Sequence, residues 1–387
     1  MARGLPFRLV LAVLAAPLAA HEPVGREGPD WVQYAGGSVA AAASRLKIIS
    51  PGPIIARGDS ADIRYSIKRR VRAASEPEAR GLLGGFGLKS RTSGEWQILW
   101  VTVPPRGAGA PELTLRVPRS LKECVIGAHG GAIEAYDIDG AVEAQTLAGG
   151  ITLDRIGGAV RAQTGGGEIR LGRTGGPARC VSGGGSIHVE RTGGEAVLET
   201  AGGEIVVREA GGPVRASTAG NIYIGRAAAS VTAHAAGGLI EVERSGGAVI
   251  AETSGGSIQV GAARGVRAES AAGAIRLRGV TGSLRASAAL GSILADLVSG
   301  GRLEDSFLGT GAGDITVLIP SNLAVTVRAR SEAGSRGRII SEFPEIRMTS
   351  AAGDVLQPMV AEGALNGGGP LLTVSVARGS IFLRRQK

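Results

Sequence analysis

Five arginines recur in the middle of this 387-residue chain in steps of 18, 18, 35 and 18: Arg155, Arg173, Arg191, Arg226 and Arg244. Guanidinium groups aligned on one face can hold carboxylates or sulfates by paired, charge-assisted hydrogen bonds. The stripe is therefore a candidate site for an anionic ligand. Its competing reading is a solvated edge neutralised by the neighbouring Glu190, Glu209 and Glu243. Asp137, Asp139 and Asp154 lie near one edge of the same region. Clustered carboxylates are what cutting a polysaccharide by acid–base work requires, and the bland alternative is a set of turn residues. His129, His188 and His234 fall in unrelated positions of the pattern, whereas three imidazoles on one ion need one locus. No metal, cofactor or catalytic residue is assigned. The only aromatic residues between positions 129 and 310 are Tyr136, Tyr223 and Phe307, so a sugar platform of aromatic rings is not expected.

What positions these side chains is a repeat, visible in "GGGSIHVERTGGEAVLETAGGEIVV" at 183–207. Isoleucines stand at Ile133, Ile151, Ile169, Ile187, Ile205, Ile222, Ile240, Ile258, Ile275 and Ile293, in steps of 17 or 18. A second column of Val, Ala or Leu runs midway between them, from Val142 and Val160 to Leu284 and Leu303. Each 18-residue unit is thus two nine-residue halves. Within a half, apolar and variable residues alternate as in a strand, and a glycine pair interrupts the alternation. Such pairs suit sharp bends, because glycine reaches backbone angles that other residues avoid. The pattern predicts an all-β, single-stranded parallel β-solenoid with 18-residue coils, right-handed, its coils stacking about 4.8 Å apart. A hexapeptide β-helix is excluded, since six and twelve residues beyond Ile133 lie Asp139 and Gln145. A calcium-binding nonapeptide repeat is excluded because its required Gly and Asp positions carry apolar residues, as in "GGEIRLGRT". A further column, Thr146, Thr164, Ser182, Thr200, Thr218, Ala235, Thr253, Ser270 and Ala288, offers hydroxyls at seven of its nine positions for bonds between coils.

The composition agrees. The chain has 64 glycines, yet 43% of its residues are hydrophobic and only 3% aromatic, so the core must be built from Ile, Val, Leu and Ala. The net charge is +9, but residues 129–310 hold 16 basic against 18 acidic residues. The excess sits at the ends, which argues against nucleic acid as partner. Arg3 and Arg8 followed by the apolar run Leu9–Ala20 read as an export signal cleaved near Ala19 or Ala20. That run is too short to span a bilayer, which takes about 20 residues. The mature chain is expected to be periplasmic or at the cell surface, without a transmembrane segment. Cys124 and Cys180 fall three coils apart, roughly 14 Å, beyond the 7 Å or so a disulfide allows, so two buried free thiols are expected.

The expected organisation is a signal peptide at 1–20, a flexible mature N-terminus at 21–44, a β-rich cap at 45–128, the solenoid at 129–310 and C-terminal coils with a cap at 311–387. Within the first cap, "SEPEARGLLGG" reads as a short helix with Ser75 as its N-cap. Residues 331–364 read as irregular.

The entry "LRVPRSLKECVIGAHGGAIEAYDIDGAVEAQT", the repeats, the turn "GRIISEFP" and the terminal "LNGGGPLLTVSVARGSIFLRR" together resemble the bacterial "putative adhesin" family of β-strand-repeat proteins of unknown function. The resemblance runs from about residue 45 to the end. It implies a β-solenoid and export or surface association, and it supplies no catalytic residues. The functional expectation is an exported, non-enzymatic adhesin-like or envelope scaffold, with anionic cell-surface polysaccharide or an envelope protein as partner. The alternatives are a β-helix polysaccharide-modifying enzyme and a structural periplasmic partner of another envelope protein.

Overall fold

A computed structural model describes residues 23–106, 108–299, 302–332, 338–348 and 358–386. The expected export signal at 1–20 lies outside the described residues. Among those residues no helix is long and apolar enough to cross a membrane.

One coil shows how the sequence winds. The strand Ile187–Thr192 buries Ile187, Val189 and Thr192, and the strand Ala196–Thr200 buries Ala196, Leu198 and Thr200. Each strand pairs in parallel with its equivalents one coil before and after, so that Ile187 lies between Ile169 and Ile205, and Ala196 between Ala178 and Val214. First-half strands form one parallel stack and second-half strands the other. The inward side chains of both stacks join one hydrophobic cluster running from Leu46 to Leu383. Large Ile, Val and Leu from one side interdigitate with Val and Ala from the other, so a thin core forms without aromatic rings. The fold is the expected all-β parallel solenoid, with first-half strands of six residues from Ile133–Ile138 to Ile240–Ser245.

The glycines have a different cause from the one expected. Between Gly131 and Gly256 no glycine has a φ in the left-handed region. What the corners demand is absence of a side chain. Two residues before each inward isoleucine from Ile133 to Ile293 stands a glycine, and each of these lies directly on the backbone of the coil before it. From Gly149 onward the neighbour is again the equivalent glycine. A Cβ on any of them would come within 3.0 Å of that backbone, closer than real Cβ atoms approach. The hydroxyl column locks the same ladder. Thr164, Ser182 and Thr200 donate at 2.8 Å to the carbonyls of Gly149, Gly167 and Gly185, ladder glycines of the preceding coil. The hydroxyls therefore bond between coils through the backbone and not to one another.

Both ends are wound out of sequence order. At the start, the coil Arg45–Ser50 and Ile54–Gly58 is sandwiched between Trp96–Thr102 with Glu112–Val117 outside it and Glu123–Ala128 with Ile133–Ile138 inside it. Residues 45–58 and 123–128 thus belong to the stack and not to a separate cap. The segment 21–44 is not flexible throughout: Asp30–Val39 pairs antiparallel with Ile63–Val71, closing one edge. Gly87–Ser93 closes the other. The helix Glu76–Leu83 starts at Ser75, whose hydroxyl accepts from the Glu78 amide. At the far end, the terminal strands Leu371–Arg378 and Ser380–Arg385 slide between Ser306–Ile319 and the earlier-threaded Val325–Ser331 and Arg338–Ser341. Met359–Leu365 then pairs antiparallel on the outside. The region expected to be irregular therefore holds strands at Arg338–Ser341, Arg347–Met348 and Met359–Leu365.

Cys124 stacks on Val142, and Cys180 on Ala162, both fully buried with free thiols. Burial pushes each thiol up to about 12, so neither offers a thiolate near neutral pH. Native protein should leave both unmodified by a thiol reagent, and unreduced protein in denaturant should titrate two. A count of none in denaturant would mean that the thiols are paired.

Candidate functional site

The arginine stripe lies on the outer face of the first-half stack, where strand ends carry two parallel outward columns. One column runs Asp154, Gly172, Glu190, Arg208, Gly225, Glu243; the other runs Asp137, Arg155, Arg173, Arg191, Glu209, Arg226, Arg244. The strand alternation sends Ile187 and Val189 inward and then breaks, so that the consecutive Glu190 and Arg191 both face out before Thr192 turns in.

The register breaks the stripe into unlike parts. Arg155 is consumed locally. Its Nε and Nη2 donate to the Asp137 carboxylate at 2.5 and 2.8 Å, and Nη1 bonds Asp154. Arg191 pairs with Glu209 at 2.6 Å, and Arg208 with Glu190 at 3.1 Å. Glu209 occupies the stripe itself between Arg191 and Arg226. Among the described residues, Arg173, Arg226 and Arg244 make no ion pair, and Glu243 beside them makes none. These residues border a depression of about 650 Å³ floored at Gly225. Arg208 has no place in the expected stripe, because its column changes residue type from coil to coil and only the folded register shows that it faces this depression.

The aspartates are brought together and then neutralised. Asp137 is bound by Arg155, Asp139 by Arg119 at 2.9 Å, and Asp154 by Arg155 and the Arg173 amide. The Arg155 guanidinium holds the Asp137 carboxyl below the usual carboxylate range, so it stays ionised and is a poor general acid. The group ties the first coils together, and Arg57 and Arg155 both lie over the Tyr136 ring, at 5.4 and 6.0 Å.

The histidines stay apart. His129 is exposed at the entry turn. His188 lies on the first-half stack between Glu168 and Glu204, at 3.0 and 3.3 Å, and His234 on the second-half stack beside Glu252 at 3.2 Å. A second shallow depression of about 610 Å³ surrounds His234, with Glu252 and Glu269 in its wall. Among the described residues no group of three His, Cys, Asp or Glu side chains is arranged to hold a metal ion.

No protein-family model matches the chain, and no curated protein matches it by sequence. Among solved structures it is similar to a "putative cell adhesion protein" from Clostridium sporogenes, at 9% identity and TM-score 0.22, over 92% of this chain and 100% of that one. It is also similar to a "putative adhesin" from Bacteroides fragilis, at 11% identity and TM-score 0.27, over 92% and 97%. A third is a "putative lipid binding protein" from Parabacteroides distasonis, at 8% identity and TM-score 0.21, over 92% and 97%.

Proposed function

We propose that this protein is an exported, non-enzymatic scaffold of adhesin-like type, which works by holding side chains at fixed spacing on a long rigid face. One observation carries this reading: the parallel register runs coil upon coil from Ile54 to Ile293 and on to Ile315 and Ile381, with a ladder glycine at each corner from Gly131 to Gly313 and buried hydroxyls such as Thr164, Ser182 and Thr200 bonding between coils. Such a stack gives extended flat surfaces and little relative motion between coils. The carboxylates that an enzyme would use, Asp137, Asp139 and Asp154, are instead bound to arginines. The adhesin-related resemblance of the sequence supports the same reading.

The test takes residues 21–387, which include every described residue, and measures binding to a panel of envelope and extracellular polysaccharides at low and high salt. The same mixtures are assayed for chain cleavage. Binding that salt weakens, without cleavage, is the expected result. Cleavage would overturn the non-enzymatic reading and return attention to Asp137, Asp139 and Asp154.

A further inference from the structure

The depression at Gly225 lies on the outer face of the first-half stack. Glycine interrupts one outward column at Gly225, between Arg208 and Glu243. A Cβ there would come 2.8 Å from the Arg208 carbonyl, so the residue keeps the floor at backbone level. Around this floor the charges are of two kinds. Arg191 with Glu209 and Arg208 with Glu190 are already neutral pairs. Arg226 and Arg244 stand one coil apart, roughly 4.8 Å, and Arg173 three coils from Arg226, roughly 14 Å. The free groups are therefore three guanidiniums and the single carboxylate of Glu243.

We infer that this groove binds an acidic polysaccharide running along the solenoid axis, its carboxylates or sulfates on Arg226, Arg244 and Arg173 and its neutral sugar hydroxyls on the paired glutamates between them. The inference rests on the adhesin-like reading and gives it a site and a ligand class. Charge density selects the polymer. A nucleic acid strand presents one phosphate per 3.4 Å or so, and over these five coils it would press several phosphates against Glu190, Glu209 and Glu243. A polymer with acidic groups spaced among neutral sugars meets the sparse free arginines without that repulsion. The glutamates add a positive reason. Carboxylates held by arginine retain lone pairs that accept hydroxyl protons, and a sugar chain supplies such donors where a DNA backbone has none. The bare floor at Gly225 lets a ring lie flat between the guanidiniums.

The experiment uses a fluorescein-labelled oligosaccharide of alternating glucuronate and neutral N-acetylglucosamine and reads anisotropy with residues 21–387. Arg226→Glu with Arg244→Glu is expected to weaken binding by at least about tenfold, since two attractive contacts become repulsive. Arg161→Glu with Arg285→Glu, on the second-half stack, is expected to leave it within about twofold. Melting curves confirm that both variants fold. Equal losses in the two variants would mean diffuse attraction and overturn the site, as would full affinity in the groove variant or tighter binding of a DNA oligonucleotide than of the alternating oligosaccharide. The two readings fail separately. If no acidic sugar binds while the chain still adheres to another surface of the panel, the site falls and the adhesin-like reading stands. If the groove variant loses binding but the wild-type chain cleaves its ligand, the site stands and the scaffold reading falls.

Discussion

Gly185→Ala is expected to destabilise the protein by about 3 kcal/mol or more, whereas Gly184→Ala, one residue earlier in the same corner, should be neutral within about 0.5 kcal/mol. An argument from backbone angles predicts no such contrast, because neither glycine has a left-handed φ. Stacking predicts it. A methyl on Gly185 would overlap the carbonyl oxygen of Gly167, while a methyl on Gly184 would meet nothing within 4 Å. An obstructing side chain can change rotamer, but an obstructing carbonyl moves only if its coil moves. That carbonyl also accepts the Ser182 hydroxyl and Gly185's own accepts Thr200, so displacement costs two further hydrogen bonds. The chain supports the distinction elsewhere. The free corner position carries Ala148 and Ala272, and the ladder position carries glycine in every coil from Gly131 to Gly313. Replacing glycine by alanine also removes disorder from the unfolded chain, which is worth about 0.4–1 kcal/mol, so Gly184→Ala can gain slightly. Equilibrium denaturation of both variants decides the matter. Equal effects would show that the coils can separate at little cost and that the ladder is not what fixes their spacing.

Much of this was legible because the signal is periodic. A single isoleucine at position 187 says little, but ten of them in steps of 17 or 18 specify a coil length, an inward column and parallel stacking. The burial of Cys124 and Cys180 follows from the same register. The invariance of the ladder glycine was equally visible, but its reason was not, since both a left-handed turn and a close backbone approach ask for glycine. The ends escaped for a different reason. Nothing local in "GGGPLLTVSVARGSIFLRR" says that it is inserted between two coils that precede it in the chain, because the choice is among similar parallel edges distant in sequence. The antiparallel pairing of Asp30–Val39 with Ile63–Val71 is likewise a long-range choice. At the site, the sequence aligned five arginines and three neighbouring glutamates, but not which arginine each glutamate meets. Whether Arg155 reaches solvent or Asp137 depends on outward rotamers, which the inward pattern does not constrain. The exchange of Glu209 for arginine in the middle of the stripe divides it into a paired segment and a free one.

Deleting residues 366–387 should convert the C-terminal end into an open edge and drive self-association, while the central coils stay folded. The lost segment is the penultimate coil, not a tail. Leu372, Val374, Val376, Ile381 and Leu383 are all fully buried in it. At about 2 kcal/mol each they represent on the order of 10 kcal/mol of apolar burial, comparable with the whole stability of a typical domain. Their strands also pair on one side with Ser306–Ile319 and on the other with the outer coil Val325–Ser331 and Arg338–Ser341. Removal therefore exposes unpaired amides and carbonyls on both sides of the gap, the template on which other chains add strands. Damage should remain local, because each coil contacts only its neighbours and stability in such arrays sums along the axis. Hydrogen exchange should show protection lost over 306–341 and retained over 133–253, with light scattering showing dimers or larger species. Instead, the outer coil could drop directly onto Ser306–Ile319 and restore the parallel register. A truncated chain that stays monomeric with 306–331 protected would establish that outcome and show that the inserted coil is dispensable for closing the end. Loss of protection through 133–253 would show, against the nearest-neighbour argument, that the end nucleates the stack.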